Sequence, residues 1–303
     1  MPINARNCAR LAQSRDVSRL KAMTTLVCFH AHPDDEAIAT GGTMTLAAQN
    51  GHQVVLVVAT RGEQGEPQPG VLEPGEELWT RRVQETHQAA EIMGLHRVEF
   101  LGYEDSGMMG EPTNENPACF WQADVEQAAQ RLAAILNEVS ADVLTIYDSH
   151  GGYGHPDHIQ VHRVGKRAAE IAGVENVYQS TMNRDQMLRQ MSRRKELFEE
   201  FAEEFEEEIE GELAEQVERR RQAAEAGTFG SPEAVITHAI NVRSAISEKR
   251  AAMAAHRSQI GPDSFFFKMP EEVFIETFGT EWFIDLHSTR ADSDPFGDSI
   301  VPS

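Results

Sequence analysis

TLVCFHA (Thr25–Ala31), followed at once by HPDDE (His32–Glu36), is the stretch on which the reading of this chain turns. An apolar run of this length that ends abruptly on polar residues reads as a strand buried on both faces. The Ala-rich segment from Ala37 to Gln49 predicts a helix, closed by Asn50 and Gly51. Working outward, the same unit recurs. VVLVVAT (Val54–Thr60) is a second strand, and Leu78 to Met93 is a helix stopped by Gly94. A short strand from Val98 to Leu101 and a helix from Trp121 to Val139 lead to the strand DVLTIYD (Asp142–Asp148). HPDHIQVHRVGKRAAEIAG (His155–Gly173) is one more helix. Apolar strands alternating with amphipathic helices predict an α/β fold: a Rossmann-like, mostly parallel sheet with helices on both faces. Such sheets gather ligands at the carboxyl ends of their strands. The unusual polar clusters all fall there: HPDDE, RGEQGE (Arg61–Glu66), YEDSG (Tyr103–Gly107) and SHGGYGHPDH (Ser149–His158).

Beyond Val177 the pattern changes. Leu197, Phe198, Phe201, Phe205, Ile209, Leu213 and Val217 are embedded in glutamates at helical spacing, which predicts a long amphipathic helix with a solvated acidic face. A β-rich patch (Ala234–Ile240) and a helix from Ser244 to Gln259 follow. The expected organisation is therefore a tail over 1–22, disordered or arising from a misassigned start, and a catalytic core over 23–180. A mostly helical extension over 181–290, with a short β patch completing the site, and a frayed end over 291–303 follow it.

Composition narrows the function. The 303 residues carry 27 Lys+Arg against 49 Asp+Glu, a net charge of −22, which disfavours nucleic acid and anionic membrane as partners. No apolar run approaches the roughly 18 residues of a membrane span. The 3 cysteines are odd in number and unpatterned, so a reducing, cytoplasmic setting is expected rather than a disulfide framework or a thiolate metal site.

His30, His32, Asp34, Asp35, Glu36, His150, His155, Asp157, His158 and His162 are the candidate ligands. Imidazole and carboxylate without thiolate suit a catalytic divalent ion that keeps one coordination position open. His30 lies in the strand body and reads as a core histidine, and His162 reads equally as a helix-face residue. The remaining candidates stay open on the residues alone.

Together with Tyr147-Asp148 and Gly151-Gly152-Tyr153-Gly154, the HPDDE and HPDH motifs resemble those of the PIG-L/LmbE-like zinc deacetylases, which remove acetyl groups from N-acetylglucosaminyl compounds. The likeness is strongest to the branch acting in mycothiol metabolism, the deacetylase and the conjugate amidase. It extends through RGEQGE, Arg82-Val83-Gln84-Glu85 and YEDSG, and more loosely to Lys249–Phe267. The resemblance implies a zinc ion, with Fe2+ or Co2+ as other occupants, on His32, Asp35 and His158. It implies Asp34 as the base for the attacking water, and His155 as oxyanion stabiliser and acid for the departing amine. Asp157 is implied to orient His155, and Tyr153 to donate to the oxyanion. It further implies Arg82, Asp105 and Glu66 as contacts to a small amino-sugar substrate. The implied reaction is hydrolysis of an N-acetyl amide in a GlcNAc-inositol-like compound. The alternatives are a mycothiol S-conjugate amidase and, in another class, an idle metal-holding binding protein. A nucleotide-binding reading fails because no G-x-G-x-x-G follows the first strand, where HPDDE would repel phosphate.

Overall fold

The computed structural model describes residues 23–200, 212–291 and 293–301. Seven strands form one sheet: β1 (Thr25–His30), β2 (Gln53–Thr60), β3 (Arg97–Tyr103), β4 (Val143–Tyr147), β5 (Asn176–Thr181), β6 (His238–Asn241) and β7 (Thr280–Asp285). Their spatial order is β3-β2-β1-β4-β5-β7-β6. The first five run parallel, and β7 lies antiparallel to both β5 and β6. The chain order reverses between β1 and β4, which opens a crevice at their carboxyl ends.

The helices are α1 (Asp35–Ala39), α2 (Gly41–Gln49), α3 (Leu78–Met93), α4 (Val125–Glu138), α5 (Gly151–Gly154), α6 (Pro156–Ala172), α7 (Arg184–Glu200), α8 (Glu212–Glu225), α9 (Ile246–Ala255), α10 (Phe265–Lys268) and α11 (Glu271–Phe278). Strand alternation divides the core in two. Val27, Phe29, Val55 and Val57 face Leu132 and Leu136 of α4 and Val161 and Val164 of α6. Leu26, Cys28 and Val54 face Met44 of α2, Met93 of α3 and Met253 of α9. The α/β fold with helices on both faces is thus as expected. None of the described helices is long and apolar enough to cross a membrane.

Several elements differ from the sequence expectation. The helix expected over Ala37–Gln49 is two helices, broken at Thr40 (φ −134°). The break lets α2 start against Val242: a Cβ on Gly42 would lie 2.4 Å from the Val242 Cβ. The freed N–H groups of Gly42 and Thr43 donate to Glu281 Oε1 and Oε2, both at 2.8 Å. Lys249 Nζ neutralises that carboxylate and donates to Ile38 O (2.8 Å), with both side chains of the pair buried.

Strands β5 and β7 escaped the hydropathy pattern, as did the helices α10 and α11. The extension consequently completes the main sheet instead of standing apart from it. The β patch expected over Ala234–Ile240 is a strand only from His238. Residues 293–301, within the end expected to fray, are tied to the sheet. Ala239 N–H donates to Gly297 O and Gly297 N–H to Thr237 O, both at 2.9 Å, and Ile300 is buried. The expected tail over 1–22 and the apolar stripe of the Glu-rich helix lie outside the residues and side chains described.

Lys249→Met strands Glu281 as a buried, uncompensated carboxylate and should cost about 3–5 kcal/mol. Urea unfolding checks this, and Lys249→Met/Glu281→Gln should recover a large part of the loss.

Candidate active site

Four strand-to-helix connections converge on a cavity of about 230 Å³ at the crevice. β1 delivers His32, Asp34 and Asp35, and β2 delivers Gln64 and Gly65. The loop after β3 brings Asp105, Gly107, Met108 and Glu111, and the loop after β4 brings Tyr153 and His155. Arg82 of α3 closes the floor. His155 is the N-cap of α6 and Pro156 its first residue, so Asp157 and His158 emerge in the first helical turn.

His32 is the hub. Its Nδ1 lies 3.3 Å from Asp35 Oδ2, while Nε2 lies 3.1 Å from Asp157 Oδ2 and 3.4 Å from Asp105 Oδ1. His158 Nε2 is 3.2 Å from the same Asp35 oxygen. A neutral imidazole donates from one nitrogen only, so His32 cannot satisfy carboxylates on both sides without added positive charge. Burial opposes charge on the ring, but Asp105, Asp157 and Asp35 hold its imidazolium well above the usual range. Asp35, though burial would raise it, is held well below the carboxylate range by His158 and His32. A metal ion is the other way to supply the charge. Ligand atoms of a tetrahedral site with bonds of about 2.0–2.1 Å stand about 3.3–3.4 Å apart, and the two Asp35–imidazole separations are of that size. Two of the three edges of a His32/Asp35/His158 set thus have the size a divalent ion requires.

Two groupings that do not include Asp35 lie at the same place. The ring nitrogens of His32, His155 and His158 fall within 4.8 Å of one another, as do ligand atoms of His32, Asp105 and Asp157. In both, the alternative donors are already engaged. His155 Nδ1 accepts the Asp157 backbone N–H (3.1 Å), which puts the proton of the neutral ring on Nε2. Asp157 Oδ2 accepts Ser106 N–H (2.9 Å), and its Oδ1 accepts the Ser106 hydroxyl. Asp105 accepts Gly107 N–H (2.9 Å) and Gln64 N–H (3.3 Å). Both carboxylates thus anchor the outer side of His32, the arrangement that fixes the tautomer of a metal-ligating histidine.

Asp34 adopts φ 97°, rare for a non-glycine residue. Burial pushes its carboxyl up to about 6, against the pull of Arg82. Arg82 donates to Pro33 O (2.6 Å) and Gly62 O (2.8 Å), and lies 3.4 Å from Asp34 Oδ2. Gly62 permits this: it has φ 70°, and a Cβ there would come within 2.3 Å of the guanidinium. Burial, with His32 and His158 nearby, pushes the His155 imidazolium down to about 3. Tyr153 is 42% exposed at the cavity rim, its hydroxyl 3.5 Å from His158 Nε2.

The motif residues are brought together with two departures. Asp157 reaches His155 through its backbone amide, and its carboxylate serves His32 and Ser106 instead. Glu66 is exposed and outside the cavity lining, because the turn after β2 directs Gln64 and Gly65 inward. The other candidate ligands stand apart. His30 is satisfied by Tyr147 Oη (2.7 Å) and Thr40 Oγ1 (2.8 Å), and His162 by Tyr147 O (3.0 Å). His150 faces Asp148 and Gly230 O, and Glu36 pairs with His256. Sequence reasoning missed Ser106, Gln64, Met108 and Glu111 as individual residues, although all four sit in the Gly-rich loops at the strand ends.

Fold and pocket together define an α/β protein with a buried His/Asp metal-holding site at its topological switch point. The profile described as "PIG-L: GlcNAc-PI de-N-acetylase" matches residues 27–169. A 1D-myo-inositol 2-acetamido-2-deoxy-alpha-D-glucopyranoside deacetylase of Thermobifida fusca is 38% identical over 294 residues, 90% of this chain and 96% of the relative. The enzyme of that name from Acidothermus cellulolyticus is 36% identical over 287 residues, covering 88% and 89%. A conserved protein of Thermus thermophilus shares the fold, with a TM-score of 0.52, 19% identity and coverage of 90% and 100%. The chain belongs to the PIG-L family of deacetylases.

Asp157→Asn should weaken binding of added Zn2+ about 10- to 100-fold, the usual cost of losing a carboxylate behind a ligating histidine. Competition against a chromophoric chelator measures it, and wild-type affinity would detach Asp157 from the site.

Proposed function

We propose that the protein hydrolyses the N-acetyl group of a small N-acetylglucosaminyl-inositol, releasing acetate and a free amine. The observation that carries the reading is the two-sided carboxylate environment of His32, joined to the names borne by relatives that align over nearly the whole chain. His32, Asp35 and His158 are the proposed ligands, with Zn2+ as the ion and Fe2+ or Co2+ as substitutes. Such an ion supplies Lewis acidity to an amide carbonyl and makes water more acidic.

The rest falls to side chains. Asp34, turned off its helix into the cavity, takes the proton of the attacking water at its carboxylate, and a carboxyl near 6 is matched to that task at neutral pH. His155, held neutral, donates from Nε2 to the developing oxyanion, and Tyr153 adds its hydroxyl from the rim. A neutral imidazole has no spare proton for the leaving nitrogen, so that proton is assigned to Asp34, which returns the one it collected. This departs from the role that the family resemblance implied for His155. Arg82 and Asp105 border the cavity and are proposed to orient sugar hydroxyls; Glu66, exposed beside it, is left with at most an outer contact. The buried thiols of Cys28 and Cys119 are compatible with a cytoplasmic setting.

Asp34→Ala should keep its metal and lose about 10²–10⁴-fold in kcat, followed by amine release from N-acetylglucosaminyl-inositol. Near-wild-type turnover would remove Asp34 as base, and no turnover by the metal-loaded wild type would favour an idle metal-holding protein. In a parallel comparison, kcat/KM should be higher for the acetyl sugar than for a thiol-capped mycothiol conjugate. A preference of more than about tenfold for the conjugate, about 1.4 kcal/mol, selects the amidase instead.

A further inference from the structure

We infer that Glu36 and His256 form a positioning pair that holds the backbone of Asp34 in its working conformation, an inference that rests on Asp34 being the base. Asp34 is the N-cap of α1, where an aspartate ordinarily turns its carboxylate back onto the first-turn N–H groups. At φ 97° it makes no such cap bond, and the carboxylate is free for the cavity. A non-glycine residue stays in that region only when its surroundings over-determine it.

The surroundings do so from both sides of the residue. The Asp34 carbonyl accepts from Ala37 N–H (3.1 Å) and Ile38 N–H (3.2 Å). Its own N–H donates to Glu36 Oε2 at 2.9 Å. The other Glu36 oxygen, Oε1, pairs with His256 Nε2 at 2.6 Å. His256 comes from the end of α9, and its carbonyl is tied by Ile260 N–H (2.8 Å) and Gln259 N–H (3.0 Å). Both side chains are fully buried and neither lines the cavity. Apolar groups of similar size fill such a space more cheaply than a carboxylate and an imidazole. What the polar pair adds is an acceptor fixed against the Asp34 N–H. Glu36 and His256 act through Asp34 and touch no reacting atom.

The test uses the full chain, with amine release from N-acetylglucosaminyl-inositol and elemental analysis of bound metal. Glu36→Leu/His256→Leu removes both buried polar groups and so leaves no stranded charge. His256→Gln keeps a donor for Glu36. The double-leucine chain is expected to fold, to bind metal as wild type does, and to keep KM within about threefold. Its kcat should fall about 10²-fold, the scale of a small misplacement of a catalytic group. His256→Gln should stay within about tenfold of wild-type kcat. Four results overturn the inference: wild-type kcat in the double-leucine chain, a kcat that falls only in proportion to lost metal, His256→Gln as impaired as the leucine pair, or a double-leucine chain that cannot fold. The last would mean that the pair supports the fold and not the base. Asp34→Asn separates the two readings. If it remains active, the base assignment fails; if it is dead while the double-leucine chain works, only the positioning pair fails.

Discussion

A neutral imidazole has one proton to give, and His32 meets carboxylates at both of its nitrogens. Most of the crevice answers that excess of negative charge. Asp105 and Asp157 spend lone pairs on backbone N–H groups and the Ser106 hydroxyl, Arg82 lies against Asp34, and His256 takes an oxygen of Glu36. Asp35 is met from both sides: its Oδ2 accepts the His32 backbone N–H (2.9 Å) and lies between the imidazoles of His32 and His158.

The supports of the site come from far along the chain. Glu85, one turn after Arg82 on α3, accepts Ser258 N–H (2.8 Å) and the Ser258 hydroxyl (2.6 Å). The loop after α9 therefore grips the helix that carries Arg82, while His256 on the same stretch grips the HPDDE turn. This stretch is where the extension reaches the supports of the site.

The parallel half of the fold was legible because its strands are continuous apolar runs that end on Gly-rich polar loops, and the periodicity of its helices is unambiguous. Strand β5 carries Tyr178, Gln179, Ser180 and Thr181, and β7 carries Glu281 and Asp285, so neither shows a buried-strand pattern. Their partners are what make them strands. The same limit hid the interactions around the site. HPDDE and HPDH announce ligands by residue type, but which nitrogen faces which oxygen is set by φ at Asp34 and by the backbone amide of Asp157. His256 sits in an ordinary helix-end context, AAHRSQ, and only the tertiary packing of α9 against α1 joins it to Glu36. Glu66 shows the converse: the loop supplies a fitting residue type, but the side chain is exposed and outside the cavity lining.

The place of β7 has a consequence for how the molecule is made. Among the described residues it is the last strand, yet it lies inside the sheet, between β5 and β6. Its Glu281 also caps the start of α2, 239 positions earlier. Emerging from the ribosome, the five parallel strands precede the strand that covers the β5 edge, and that edge stays unpaired until residue 285 has been synthesised. The nascent core thus waits, with an open sheet edge and the N–H groups of Gly42 and Thr43 without Glu281, for residues 182–285.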